Sequence, residues 1–542
     1  MCLRLGVWQL SHTNEEAVPL RNKHRVAAIA VGLVASVTLV GCSSGSANMS
    51  DVPSSLVIDT AFTLETGDPG RNYVPTGYMV SKAVYETLLD FTGSDESTPV
   101  PGLATYQQND DATVFTFTLE DGRVFSDGSP ITADDVVFSL ERVKGMTESK
   151  ANFLMNGIEV SKVDDFTVEL TTETPSLKLP ALMTNPSLAI LNSEVVIANG
   201  GTTDAGDAAE EFLNETSAGS GPYIIDSIDF ASQVVLVENT NYNGAEEIDF
   251  KRVVIRSVSE SATQKINLEG GDSHVAVDLS GDQVDELPGE ITVTSVPSAQ
   301  TIFLLLNQNP EISAMTSSPD FVEAVRYALD YDGLLELTGA GSEQATGVIP
   351  PSFLGALTDG VEQDLNRSAT ALEASGYAGE IITLEYPNDY PVGGVSFTPL
   401  AERIQSQLAA AGIAVELAPA PFTTQIDKYV NGREAFSIWF WGPDYADSAN
   451  FLPFSAGDKV GLRAGWTAEM SPGIVELAAA AGNAVSLETR EGAFNAFAAE
   501  LQVSGPFVPL IVPGSNIATA DFITGVAYNS TWTMDITELR TK

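Results

Sequence analysis

Residues 103–142 read LATYQQNDDATVFTFTLEDGRVFSDGSPITADDVVFSLER, and their patterning decides the class of fold. Val114–Leu119 alternates with period two, so Phe115, Phe117 and Leu119 share one face and Thr116 and Thr118 the other, as in a half-buried strand. Asp121-Gly122 and Asp127-Gly128 supply turn chemistry on either side of Arg123-Val-Phe125. Thr132 and Asp135 then suit a helix start, and Val136, Val137, Leu140 and Val143 recur at helical spacing as its buried stripe. This is scaffold rather than catalytic apparatus.

The same alternation of strand and helix patterns runs from about residue 55 to the C-terminus, with no tandem repeat, and predicts an α/β or α+β protein. Leu400, Ile404, Leu408 and Ala411 line a helix face, Gly412 stops it, and Ile413, Val415 and Leu417 alternate as the next strand. Residues 435–441, AFSIWFW, form a further strand that ends abruptly at Gly442-Pro443. In open α/β sheets ligands bind beyond the carboxyl ends of strands, and Asp444 occupies such a place. Taken alone, an aspartate there also suits a turn.

The first forty-two residues concern location. Arg21, Lys23 and Arg25 precede the apolar run from Val26 to Val40, which is shorter than the roughly twenty residues a membrane-spanning helix needs, so residues 1–41 read as a signal peptide. Leu39-Val40-Gly41-Cys42 resembles a lipobox, which implies cleavage before Cys42 and its lipidation, with residues 42–54 as a flexible tether. Residues 1–20, with Trp8, Glu15, Glu16 and Pro19, match no region of a signal peptide. They point to a true start near Val18 or Leu20, at a non-Met codon, since no Met lies between Met1 and Met49.

Removing that segment leaves about 500 residues, enough for roughly three domains. The chain carries 26 Lys and Arg against 73 Asp and Glu, a net charge of −47, which excludes the clustered basic surface that nucleic acid requires. Of its 2 cysteines and 3 histidines, only Cys42 and His274 lie beyond residue 41. That leaves no thiol pair, redox centre or metal cage, and no cofactor is expected. His274, in residues 270–278, GGDSHVAVD, reads as a strand entry rather than part of a nucleophile elbow. Gly219-Ser-Gly-Pro-Tyr223 lacks the Gly-Lys-Ser/Thr ending of a phosphate loop and reads as a structural turn. Arg326 and Asp330, at i and i+4, read as an exposed supporting pair.

Several segments together resemble the bacterial extracellular solute-binding proteins of family 5, which include dipeptide- and oligopeptide-binding proteins. The stretch 103–142 looks like the family signature, with Tyr106 where tryptophan is usual and Glu120 where a basic residue is usual. Gly67-Asp-Pro69, Val84-Tyr-Glu-Thr-Leu-Leu89, Gly219-Ser-Gly-Pro-Tyr223, Glu238-Asn-Thr-Asn-Tyr242, Val325-Arg-Tyr-Ala-Leu-Asp330 and Trp441-Gly-Pro-Asp-Tyr445 follow in the family's order. The resemblance implies a two-lobed periplasmic-binding-protein-like α/β fold with three domains and a hinge. The first domain would be discontinuous (55–89, 214–305 and 500–542), with 90–213 as the second and 306–499 as the third.

It also implies no enzymatic activity, and a monomeric, lipid-anchored receptor outside the cytoplasm that hands short peptides to the permease and ATPase of an ABC transporter. Asp444 would pair with the peptide α-ammonium, Trp441 and Tyr445 would wall the cleft, and Gly442 would present backbone groups. Tyr73, Val74 and Pro75 would line its other side. No basic partner for the peptide carboxylate is legible. A receptor for a sugar, an opine, a nickel chelate or haem, and a secreted carboxylate-dependent hydrolase, remain as alternatives.

Overall fold

A computed structural model describes residues 55–542; the signal segment 1–41, the tether 42–54 and Cys42 lie outside the described residues. The stretch that opens the chain's reading folds as its pattern dictates. Val114–Leu119 is a strand, with Phe115 and Phe117 fully buried, between Ala104–Gln108 and Thr167–Thr172 in a four-stranded antiparallel sheet closed by Ile158–Asp164. Gly122 and Gly128 adopt φ of +80° and +86°, the left-handed conformation that glycine takes without a Cβ penalty. The helix Ala133–Gly145 begins with the Thr132/Asp135 capping box and buries Val136, Leu140 and Val143 against that sheet, whereas Val137 is only half-buried.

Two larger sheets flank this unit. One has seven strands, ordered Ile291–Pro297, Gly514–Ala520, Val275–Ala276, Leu56–Thr60, Arg252–Ser257, Gln233–Glu238 and Tyr223–Asp229. The other has six, ordered Glu343–Gln344, Phe507–Val512, Thr301–Leu306, Phe436–Trp441, Ile382–Pro387 and Val415–Ala420. Thr301–Leu306 reads TIFLLL without alternation because it is buried on both faces. Ile302, Leu304 and Leu306 join one core with Leu400, Ile404 and Leu408 of the helix Phe397–Ala410, while Phe303 and Leu305 join another with Trp439, Phe454 and Phe507. Gly412, at φ +88°, follows that helix as expected.

Three local readings resolve here. His274 leads into the strand Val275–Ala276, and its Nδ1 accepts the Val57 N–H at 3.0 Å. The Gly219–Tyr223 turn needs glycine for close approach, since a Cβ on Gly219 would meet the Val84 carbonyl oxygen at 2.4 Å. The Arg326–Asp330 expectation fails. Helix Pro319–Ala328 ends before Asp330, which instead caps the helix Tyr331–Leu335, and buried Arg326 donates to the carbonyls of Val503 and Gly505 at 3.0 and 2.8 Å. Among the described residues no helix is long and apolar enough to cross a membrane.

Candidate functional site

The strand Phe436–Trp441 lies between Thr301–Leu306 and Ile382–Pro387, so its end is positioned by neighbours on both sides. The chain leaves it at Gly442-Pro443, because proline cannot donate to a ladder, and resumes regular structure as the 3-10 helix Ser448–Phe454. Asp447 caps that helix, accepting the Ala449 N–H at 2.8 Å. Asp444 therefore sits on a short turn held between a central strand and a capped helix.

It borders a cleft of about 610 Å3 with two walls. One wall comes from residues 153–182 of the four-stranded unit, the other from Trp441, Asp444, Tyr445, residues 449–459 and Arg490. Such a volume suits a small molecule or a short peptide. A second cavity, of 560 Å3, is lined by Lys82, Glu86, Asp90 and Arg123, whose charges already pair as Lys82–Asp90 and Arg123–Glu86.

Half-buried Asp444 forms no ion pair among the described residues. Its Oδ1 accepts the Tyr73 hydroxyl at 2.5 Å, its backbone carbonyl accepts Asn185 Nδ2 at 3.1 Å, and its Oδ2 has no donor among the described residues. Burial pushes its carboxyl above the ordinary aspartate value, against the pull of the Tyr73 hydrogen bond and the Lys459 charge. Burial and then the Asp444 charge push the Tyr73 hydroxyl far above the usual phenol range, so it stays a donor. An under-coordinated, desolvated carboxylate gains from a cationic donor, and a charge-assisted hydrogen bond is roughly twice as strong as a neutral one.

Of the residues singled out in the sequence, the structure brings Asp444, Trp441, Tyr445 and Tyr73 together. Trp441 faces the cleft, with its Nε1 donating to Asn450 Oδ1 at 3.1 Å and its ring edge-on to Phe454. Tyr445 reaches across into the core of the four-stranded unit and is 8% exposed. Tyr73 packs edge-on against Tyr78 and Phe153 while it bonds Asp444. Val74 and Pro75 form the start of the helix Pro75–Val84 and do not line this cleft, and Gly442 lies against the Gln300 side chain.

Sequence reasoning missed Arg490, which grips Asp447 with both nitrogens at 2.7 and 2.5 Å and lines the cleft from 43 residues further along the chain. It also missed Lys178 and Lys459, one on each wall. No local motif marks either lysine.

Comparison with known proteins agrees with this architecture. The profile of bacterial extracellular solute-binding proteins, family 5 Middle, matches residues 98–461. The probable D,D-dipeptide-binding periplasmic protein DdpA of Escherichia coli (strain K12) is 30% identical over 420 residues, covering 75% of this chain and 78% of that protein. Di/tripeptide-binding protein 2 of Pseudomonas aeruginosa (strain UCBPP-PA14) is 24% identical over 444 residues, covering 76% and 81%. Among solved structures, the ABC transporter substrate binding protein CtaP from Listeria monocytogenes superposes with a TM-score of 0.79 at 17% identity, covering 90% of this chain and 99% of that one. The periplasmic binding protein DppA from Helicobacter pylori in complex with a peptide gives 0.72 at 20% identity, covering 90% and 98%. These likenesses give the fold as the two-lobed periplasmic-binding-protein type. The chain belongs to the bacterial extracellular solute-binding proteins of family 5.

Proposed function

We propose that this chain is the lipid-anchored, extracytoplasmic receptor of an ABC uptake transporter, and that it captures short peptides in the cleft beside Asp444 and delivers them to the permease. The observation that carries this reading is the Asp444 carboxylate itself, desolvated, oriented by Tyr73 and left with an open oxygen in a cleft of peptide size. A peptide α-ammonium supplies the missing charge and donors. A neutral sugar has no need of them. Relatives named for dipeptide and di/tripeptide binding support the cargo class.

The work is capture rather than catalysis. An open form admits ligand, closure of the lobes about a hinge buries it, and the closed shape docks on the permease. Micromolar affinity corresponds to about −8 kcal/mol, within reach of one ammonium pair, a few backbone hydrogen bonds and burial against Trp441 and Tyr445.

The domain partition we propose follows the sheets. The seven-stranded sheet, drawn from three separate stretches of chain, forms the first domain, the four-stranded unit the second and the six-stranded sheet the third. Thr301–Leu306 and Phe507–Val512 both pair into the six-stranded sheet, so the crossings near 306 and 500 move to about 300 and 513. Cys42, through its lipobox-like context, would carry the anchor.

Mass spectrometry of ligand released from the purified protein tests the reading. The expected result is a set of short peptides that rebind to the wild type and bind Asp444→Ala at least tenfold more weakly. A released ligand without an amino group, or equal affinity for the two proteins, would overturn it.

A further inference from the structure

The cleft also contains the charge that the other end of a peptide requires. Every other lysine among the described residues, from Lys82 on Asp90 to Lys542 on Asp521, is ion-paired with a carboxylate. Lys178 and Lys459 are the two that are not, in a chain where acidic residues outnumber basic ones by 73 to 26. Both line the cleft that contains Asp444. In so acidic a protein, two lysines without carboxylate partners are unexpected on any surface, and their meeting in one cleft is a positive signal.

The two differ in position. Lys459 lies on the same wall as Asp444, with Nζ 5.6 Å from the Trp441 ring centroid, and its charge is felt by the Asp444 carboxyl. Lys178 stands on the opposite wall, at the head of the short helix Leu179–Leu182. The nearby carboxylate of Asp447 is unavailable to it, because Arg490 takes both oxygens and the Ala449 N–H takes one as well. Burial pushes the Lys178 ammonium below the ordinary lysine value, against the pull of the Asp447 charge and with a further push from Arg490. The other carboxylates on the lining, Glu173 and Asp458, are exposed, and Asp458 is engaged in capping the helix Lys459–Arg463.

We propose that Lys178 receives the carboxylate of a ligand whose ammonium sits on Asp444, so that the cleft takes zwitterionic short peptides with one charged end on each wall. This rests on the peptide reading above and sharpens it. A ligand with both charges ties the two walls together, whereas one that lacks either charge engages a single wall. Closure is therefore coupled to the presence of both termini within one small molecule.

The test is calorimetric titration of wild type, Lys178→Met and Asp444→Asn with alanyl-alanine and alanyl-alanyl-alanine of both hands, each free, N-acetylated and C-amidated. The Lys178 side chain makes no hydrogen bond or ion pair with another described residue, so Lys178→Met should fold and melt like the wild type. The expected result is that C-amidation weakens wild-type binding at least tenfold and Lys178→Met binding less than twofold, while N-acetylation still weakens Lys178→Met at least tenfold. If amidation is harmless to the wild type, or Lys178→Met keeps both the wild-type affinity and the amidation penalty, the Lys178 assignment fails while the peptide reading stands. If N-acetylation is also harmless, or no free peptide binds, the peptide reading fails and this proposal with it.

Discussion

Replacing Arg142 by methionine should cost the fold about 3–5 kcal/mol, although the residue touches no part of the cleft. Its guanidinium is fully buried and makes four hydrogen bonds: Nη1 and Nη2 to Asp68 at 3.0 and 2.6 Å, and Nε and Nη2 to Asp207 at 2.7 and 2.8 Å. Arg71 bridges the same two carboxylates, donating to Asp68 at 2.5 Å and to Asp207 at 2.8 Å. Two arginines thus balance two aspartates, and Arg142→Met leaves one buried negative charge without a counter-charge. Methionine refills much of the aliphatic volume, so the loss is electrostatic rather than a cavity. Burial alone would raise the Asp207 carboxyl, but the bonds and charge of Arg142, with Arg71, hold it at about 2.

The cluster also fixes the stretch Asp68–Asn72, which leads directly to Tyr73, so the variant should weaken peptide binding as well. Equilibrium denaturation near neutral pH measures the first effect. Adding Asp207→Asn to Arg142→Met should recover part of the loss, since it removes the orphaned charge. A loss under about 1 kcal/mol, or no recovery in the double variant, would refute the reasoning.

Tyr73→Phe should reduce peptide affinity roughly two- to tenfold, the worth of one hydrogen bond of about 0.5–1.5 kcal/mol, without altering secondary structure by circular dichroism. Affinity should fall as pH drops through the raised Asp444 titration. Tyr73→Phe, which removes a bond that lowers that titration, should shift the fall to higher pH. Glu434 is buried, accepts the Trp439 Nε1–H at 2.5 Å and titrates at about 7 because burial penalises its charge. The folded state therefore holds a proton that the unfolded state has released between about pH 4.5 and 7, and stability declines as pH rises across that window. Glu434→Gln should remove on the order of 3 kcal/mol of that decline, read as a flatter melting temperature against pH. An unchanged slope would show that Glu434 ionises freely.

Much of the fold was legible because its determinants are local. Period-two alternation in Val114–Leu119, the capping box at Thr132 and Asp135, and the Gly412 stop each act within a few residues. The crossing we propose near 300 was read near 306 because TIFLLL, buried on both faces, has no alternation to mark which sheet it joins. Arg326 was misread because spacing of i and i+4 means a shared face only if the helix continues, and here it stops at Ala328. Within the site, Trp441 ends and Asp444 follows a strand that sequence can locate. Tyr73 meets Asp444 across 371 residues, Arg490 meets Asp447 across 43, and Lys178 faces them from the head of a short helix on the other wall. Such partners are set by tertiary closure and leave no spacing in the chain.

The central claim is that Asp444 recognises a positively charged amino end. Its most direct test is the dissociation constant of one short peptide, rebound from the set released by the protein, measured with its amino terminus free and acetylated against wild type and Asp444→Asn. The prediction is a penalty for acetylation of at least tenfold, about 1.4 kcal/mol, in the wild type and almost none in Asp444→Asn. Equal affinity of the wild type for the two forms would contradict it.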